Sequence, residues 1–186
     1  SLAHQKLDVI DLGVDFLAGS GHKLCGPTGI GFLWSRKEIL EKIPPLFGGG
    51  EMIQDVFEET STWAELPHKF EAGTPAIAEA IGLAEAINYI NTIGLNEIHE
   101  YEKNITKYLF KKLNQIEDVE IIGPSPEIDP DRASLATFYI KNIHSNDIAE
   151  ILDSKGICIR SGHHCCQPLH RYIGIKSTAR ISMNFT

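Results

Sequence analysis

Two helical patterns follow one another between residues 77 and 116 with only Gly94 to separate them, and this break constrains the fold more than any other feature. Ile77, Ile81, Ala84, Ile87 and Ile90 recur at helical spacing. Thr74-Pro75, just ahead, makes a good helix start, because Thr caps the first turn and Pro suits the first helical position. Gly94 ends that helix. Ile98, Tyr101, Ile105, Tyr108 or Leu109, and Leu113 then mark one side of a second amphipathic helix over residues 96–116. The spacing therefore predicts a division of the chain at 94/95.

The two sides of this division read differently. Before it, residues 14–19 and 30–34 are short apolar runs that predict buried strands. Residues 35–43 predict a charged helix ended by Pro44-Pro45. Gly48-Gly49-Gly50 opens a stretch to Glu65 with Thr and Ser on alternating positions, which predicts a hairpin. After the division, strands are predicted at Val119–Ile122, Ala133–Ile140, Ile157–Arg160 and Ala179–Phe185. A turn-rich segment runs through Pro124, Pro126, Pro130 and Asp131, and a short helix runs from Asn146 to a stop at Gly156. The fold class is α/β: part of a larger sheet domain, then a compact α/β domain from about residue 95.

Composition excludes several functions. The 186 residues carry 17 basic and 25 acidic side chains, a net charge of −8. That balance argues against a general nucleic-acid surface and leaves no basic membrane patch. No apolar run is long enough to span a bilayer, and no signal peptide is evident. The four cysteines, Cys25, Cys158, Cys165 and Cys166, have neither disulfide-scaffold density nor zinc-pair spacing. A reducing cytoplasm, or a plastid in a eukaryote, suits them.

Chemistry concentrates in two motifs. Arg160-Ser161-Gly162-His163-His164-Cys165 places a thiol directly after two imidazoles and near a guanidinium. The thiolate is the reactive form of cysteine, and neighbouring cations favour it. The alternative is a turn with a structural cysteine. Ser20-Gly21-His22-Lys23 lies between the two apolar strands and runs into Leu24-Cys25-Gly26-Pro27-Thr28-Gly29. A lysine between buried strands is poorly solvated, which favours the neutral, nucleophilic amine. Such an amine is the usual Schiff-base partner of pyridoxal phosphate. A surface lysine in a turn is the alternative.

Together the motifs SGHKLCGPTGIGFLW at 20–34, GGGEMI at 48–53, FEAGTP at 70–75 and RSGHHC at 160–165, with Arg180 near the end, resemble the group II (SUF-type) cysteine desulfurases and selenocysteine lyases. These are aminotransferase class-V enzymes of pyridoxal phosphate fold type I. The resemblance implies that the chain matches roughly the C-terminal half of such an enzyme. Residues 1–94 would be the C-terminal part of the large cofactor-binding domain, and 95–186 the small domain, truncated at its end. Ser1–Gln5 reads as the interior of an element.

The resemblance also implies roles. Lys23 would carry pyridoxal 5'-phosphate, with Ser20 and His22 around its phosphate. Thr74 would be a helix cap that also reaches the phosphate held by a neighbouring subunit. Arg180 would bind the substrate carboxylate, a pairing that suits a bidentate guanidinium, and an internal salt bridge is its alternative. Arg160 would hold the carboxylate or position the cysteine loop. Lys23 would move the α-proton of L-cysteine, and Cys165 would take the sulfur as a persulfide while L-alanine leaves. A SufE-like or SufU-like acceptor would collect that sulfur for iron–sulfur cluster assembly, and the enzyme would be a homodimer. The other readings are a selenocysteine lyase or another β-eliminating enzyme on the same scaffold, or a silent dimerisation module, this stretch by itself being inactive. Zinc is not expected at His163, His164, Cys165 and Cys166, since adjacent ligands suit a tetrahedral ion poorly. Cys166 is expected to be a bystander and Cys25 and Cys158 packing residues. Trp34 and Trp63 are expected in the core or an interface.

Overall fold

The computed structural model describes residues 2–186. Two compact units divide the chain, Leu2–Leu95 and Asn96–Thr186. Leu2–His4 form a turn rather than the interior of a strand or helix, and Ser1 lies outside the described residues.

In the first unit, β1 (Phe16–Ser20) pairs antiparallel with β2 (Gly31–Ser35), Ser20 lying opposite Gly31. The strands approach so closely that a Cβ on Gly31 would stand 2.5 Å from the Gly19 carbonyl oxygen, so only glycine fits there. Between them the chain makes a single 3-10 turn, Gly21–Leu24, closed by the Gly26 N–H on the Gly21 carbonyl at 3.0 Å. Neither strand is buried as its apolar run predicts. Phe16, Phe32 and Leu33 are all exposed, because the pair stands as a two-stranded sheet.

The charged segment forms α1 (Lys37–Lys42). Its last carbonyls accept from the buried Lys69 ammonium, which lies 3.0 Å from Leu40 O and 3.1 Å from Glu41 O. A cation there complements the helix dipole. The expected hairpin is β3 (Ile53–Val56) against β4 (Ser61–Trp63), with Asp55 accepting from the Thr62 hydroxyl.

The helix after Thr74-Pro75, α2 (Ile77–Ile93), starts later than predicted. Its cap is Ala76, whose carbonyl receives the Ala80 N–H, and Thr74 lies outside the helix. The Gly73 N–H is tied to Gly50 O at 2.9 Å with φ +84°, so the backbone reaching Thr74 is committed to a turn. The α2 face that packs is Leu83, Ala86 and Ile90, whereas Ile77, Ile81 and Ile87 are exposed. Leu83 meets the Lys23 turn, since a Cβ on Gly26 would lie 2.9 Å from Leu83 Cδ1. Gly94, at φ +96°, ends the helix as read from the sequence.

In the second unit, α3 (Leu95–Leu113) buries Ile98, Glu102, Thr106, Phe110 and Leu113. This line is rotated from the predicted one, and Tyr101 and Tyr108 face solvent. Thr106 fits because its hydroxyl donates to Glu102 O at 2.6 Å, satisfying a buried polar group within the helix. The sheet is antiparallel, in the order β5-β6-β8-β7, from β5 (Val119–Ile122), β6 (Leu135–Ile140), β7 (Arg160–Gly162) and β8 (Thr178–Ser182). Its core face carries Ala136, Phe138 and Ala179 against Phe110 and Leu113 of α3 and Ile148 of α4 (Ser145–Asp153). β7 begins at Arg160, so the predicted strand Ile157–Arg160 lies too early. Ile157 N instead bonds Leu152 O beyond the C-terminal turn of α4. A helix not among the predicted elements, α5 (Gln167–Ile173), follows the cysteine loop, with Pro168 in its first turn and left-handed Gly174 at its end.

Candidate active site

Each unit holds one of the two chemical motifs. In the first unit Lys23 sits on the 3-10 turn, exposed, with no hydrogen bond or ion pair to the described residues. Within this chain the flanking strands are themselves open. What the turn provides is a primary amine held on a short, glycine-tight connection and open to solvent within this chain. Ser20, in extended conformation before the turn, makes no side-chain capping bond. His22 is exposed beside Lys23, and Thr74 is exposed on the rim of a concavity shared with Glu51, His68 and Gly73. A free amine with unengaged hydroxyls in the same unit fits an aldehyde cofactor bearing a phosphate. Cys25 is not a packing residue: it ends the turn at φ +59° and is exposed. Cys158 is exposed as well, since its segment is not part of a strand. Trp63 is also exposed rather than in the unit's core.

In the second unit the alternation of β8 explains the site. Ala179 and Ile181 point to the core, so Thr178 and Arg180 belong to the opposite face. Arg180 pairs in register with Arg160 of β7, and Thr178 with Gly162. Like charges directly opposite on neighbouring strands repel. No carboxylate among the described residues offsets this pair, so the internal salt bridge weighed for Arg180 is absent. The Nε of Arg180 is buried without a partner. Two facing guanidiniums with unspent donors favour an anion.

Cys165 lies in the same place. Its thiol is exposed, and Arg160 directs a guanidinium nitrogen at Sγ from 3.7 Å. Gly162 (φ +110°), His164 (φ +51°) and Cys165 (φ +62°) are all left-handed, costly for the two that carry side chains. Arg160, Ser161, His163, His164, Cys165, Gln167 and Pro168 line an open concavity of about 540 Å³. Cys166 points elsewhere: its thiol donates to His163 O at 2.9 Å and lies 3.8 Å from His170 Nδ1. No group of three or more His, Cys, Asp or Glu among the described residues is arranged to hold a metal. Sequence reasoning missed Thr178 and His170, whose side chains meet His164. The three residues stand on separate elements, and no local spacing marks them.

The match to known proteins is specific. The family model for aminotransferase class-V covers residues 1–186. The chain belongs to the aminotransferase class-V family. Within this family it is 52% identical to a probable cysteine desulfurase of Synechocystis sp., over all of this chain and 44% of that protein. Its fold overlays the apo cysteine desulfurase of Thermococcus onnurineus NA1 with a TM-score of 0.93, at 40% identity, covering 99% of this chain and 46% of that one. It also matches a C-DES mutant that has glycine covalently linked to its PLP cofactor, with a TM-score of 0.78 and 25% identity over 99% of this chain and 45% of that one. The chain thus spans less than half the length of these class-V relatives. Its α/β architecture is that of part of a pyridoxal phosphate fold type I enzyme. No helix among the described residues is long and apolar enough to cross a membrane.

Proposed function

We propose that the protein carrying this chain is a pyridoxal phosphate-dependent cysteine desulfurase, which removes sulfur from L-cysteine to give L-alanine and a persulfide on Cys165. The observation that carries the reading is the pairing of Arg160 and Arg180 in register, without a carboxylate partner, beside the loop thiol. A substrate with an α-carboxylate answers the guanidiniums, and a substrate with a β-sulfur answers the thiol.

Lys23 is the proposed covalent anchor for the cofactor, with Ser20, His22 and Thr74 as its phosphate-side contacts. When bound, pyridoxal phosphate supplies an electron sink for the carbanion at the substrate α-carbon. Lys23 takes and returns the α-proton at its Nζ. Arg180 orients the substrate through its carboxylate, and Arg160 holds the carboxylate or steadies the cysteine loop. Cys165 Sγ, as thiolate, attacks the substrate sulfur: an S–S bond forms, the C–S bond breaks, and its electron pair stays with the carbon skeleton that becomes alanine. The exposure of Cys165 suits onward transfer to a small acceptor of the SufE or SufU kind.

Residues 1–94 are proposed as part of the large cofactor domain and 95–186 as part of the small domain, in a homodimer of a soluble, cytoplasmic or plastid enzyme. Persulfide mapping by mass spectrometry after one turnover with L-cysteine tests the assignment. Persulfide on Cys165 supports it. Persulfide on Cys166 or Cys25, or turnover of selenocysteine alone, contradicts it.

A further inference from the structure

Behind the cysteine loop runs a buried chain of hydrogen bonds that the reaction as proposed does not use. Thr178, fully buried on β8, places its hydroxyl 3.0 Å from His164 Nε2 and 3.0 Å from His170 Nε2. His170, buried on α5, has its other ring nitrogen 3.1 Å from Cys166 O. The directions of these bonds follow from the donors available. A carbonyl oxygen only accepts, so His170 Nδ1 carries the hydrogen. With His170 neutral, its Nε2 is a lone pair and takes the Thr178 hydroxyl hydrogen. Thr178 Oγ1 then accepts from His164 Nε2–H. That leaves His164 Nδ1 without a hydrogen, and it is buried without a partner.

We propose that Thr178 and His170 are positioning residues for the thiol step: they fix His164 as the neutral Nε2–H tautomer and thereby hold the left-handed His164-Cys165 backbone that presents the thiol to Arg160. Two further observations agree. Two successive left-handed residues with side chains persist only when their surroundings hold them, and the ring of His164 is the part of that loop tied to the sheet interior. Burial, then the charges of Arg180 and Arg160, push His164 below the ordinary histidine range, against the Thr178 backbone, which pulls upward, and His170 presses in the lowering direction too. The groups facing His164 from β7, β8 and α5 thus favour the neutral ring, and the bond from its Nε2–H to Thr178 selects the tautomer.

This proposal rests on the reading of Cys165 as the sulfur-accepting thiol, but its test needs neither cofactor nor cysteine. In the full chain, nitrogen-resolved imidazole spectra should show His164 as a single Nε2–H tautomer and His170 as Nδ1–H at neutral pH. Iodoacetamide labelling of Cys165, measured against exposed Cys158 in the same molecule, should fall about fivefold in Thr178→Val, the effect of one lost hydrogen bond. Thr178→Ser should restore it. A tautomer mixture or an Nδ1–H form at His164 in the unaltered chain overturns the proposal, as does unchanged labelling in a folded Thr178→Val chain. The tautomer reading needs no variant, so a Thr178→Val chain that fails to fold does not shield the proposal. Absence of cysteine turnover in the holoenzyme counts against the proposed function instead.

Discussion

The two units present their reactive groups in opposite ways. In Leu2–Leu95 the amine of Lys23 makes no hydrogen bond or ion pair to the described residues, on an exposed turn between two open strands. In Asn96–Thr186 the thiol of Cys165 rides on a strained loop whose neighbour His164 is bonded into the interior, next to a contiguous core under the same sheet. On the roles proposed for them, the contrast teaches that reactivity is prepared differently for an amine that must form a bond and let it go and for a thiol that must be aimed. An amine that changes partners needs freedom. A thiol that attacks one atom needs a fixed approach, and a few left-handed residues are an acceptable cost when hydrogen bonds hold them.

The most direct way to break this comparison is Lys23→Ala in the holoenzyme. Borohydride reduction should no longer attach cofactor to the peptide containing residue 23, and alanine formation should fall more than about 10³-fold. Label persisting on another lysine would remove the free-amine half of the contrast. Cys165→Ala comes next, with alanine formation reduced about 10²-fold or more while cofactor absorbance stays. Cys166→Ala should change the rate less than about threefold, since its thiol is turned to His163 O.

A smaller effect is expected on the anion side. Arg180→Lys keeps the charge but loses the bidentate fork, and KM for cysteine should rise about tenfold, with kcat less affected. Equal loss in both parameters would mean that Arg180 acts in the transition state rather than in binding.

The smallest effect concerns pH. His164 is depressed by burial and by Arg180, so the unfolded chain binds its proton more readily than the folded one. The stability that comes from a neutral His164 is then present above the unfolded value of about 6.5 and is lost as pH falls toward the lower folded value. Denaturant midpoints measured down through this window should drop, and His164→Gln should flatten the slope. An unaltered slope would separate the loop from the buried hydrogen-bond chain and weaken the second half of the contrast.

Much of the local structure was legible. Gly94 was read as the stop of a helix, and it stands at φ +96° at the C-terminal end of α2. The strand at Val119–Ile122 and the hairpin after Gly50 were readable because turn residues bracket them. The buried face of α3 was not, because Thr106 and Glu102 occupy it where an apolar stripe would place Tyr101 and Tyr108. The exposure of Phe16, Phe32 and Leu33 in this chain was not legible for a related reason: an apolar run says that a strand is suited to burial, but neighbours decide whether it is covered.

Sequence alone determined the inventory of the site: an amine in a glycine-bounded turn, a thiol after two imidazoles, and an arginine among apolar residues near the end. These are local facts, carried by residue type and spacing along the backbone. Only the tertiary structure decided that Arg160 faces Arg180, that Thr178 joins His164 to His170, and that Cys166 looks away from Cys165. Those relations depend on strand register and on which face of β8 meets the core. A one-residue change of register exchanges the faces of a strand without altering a letter of the chain.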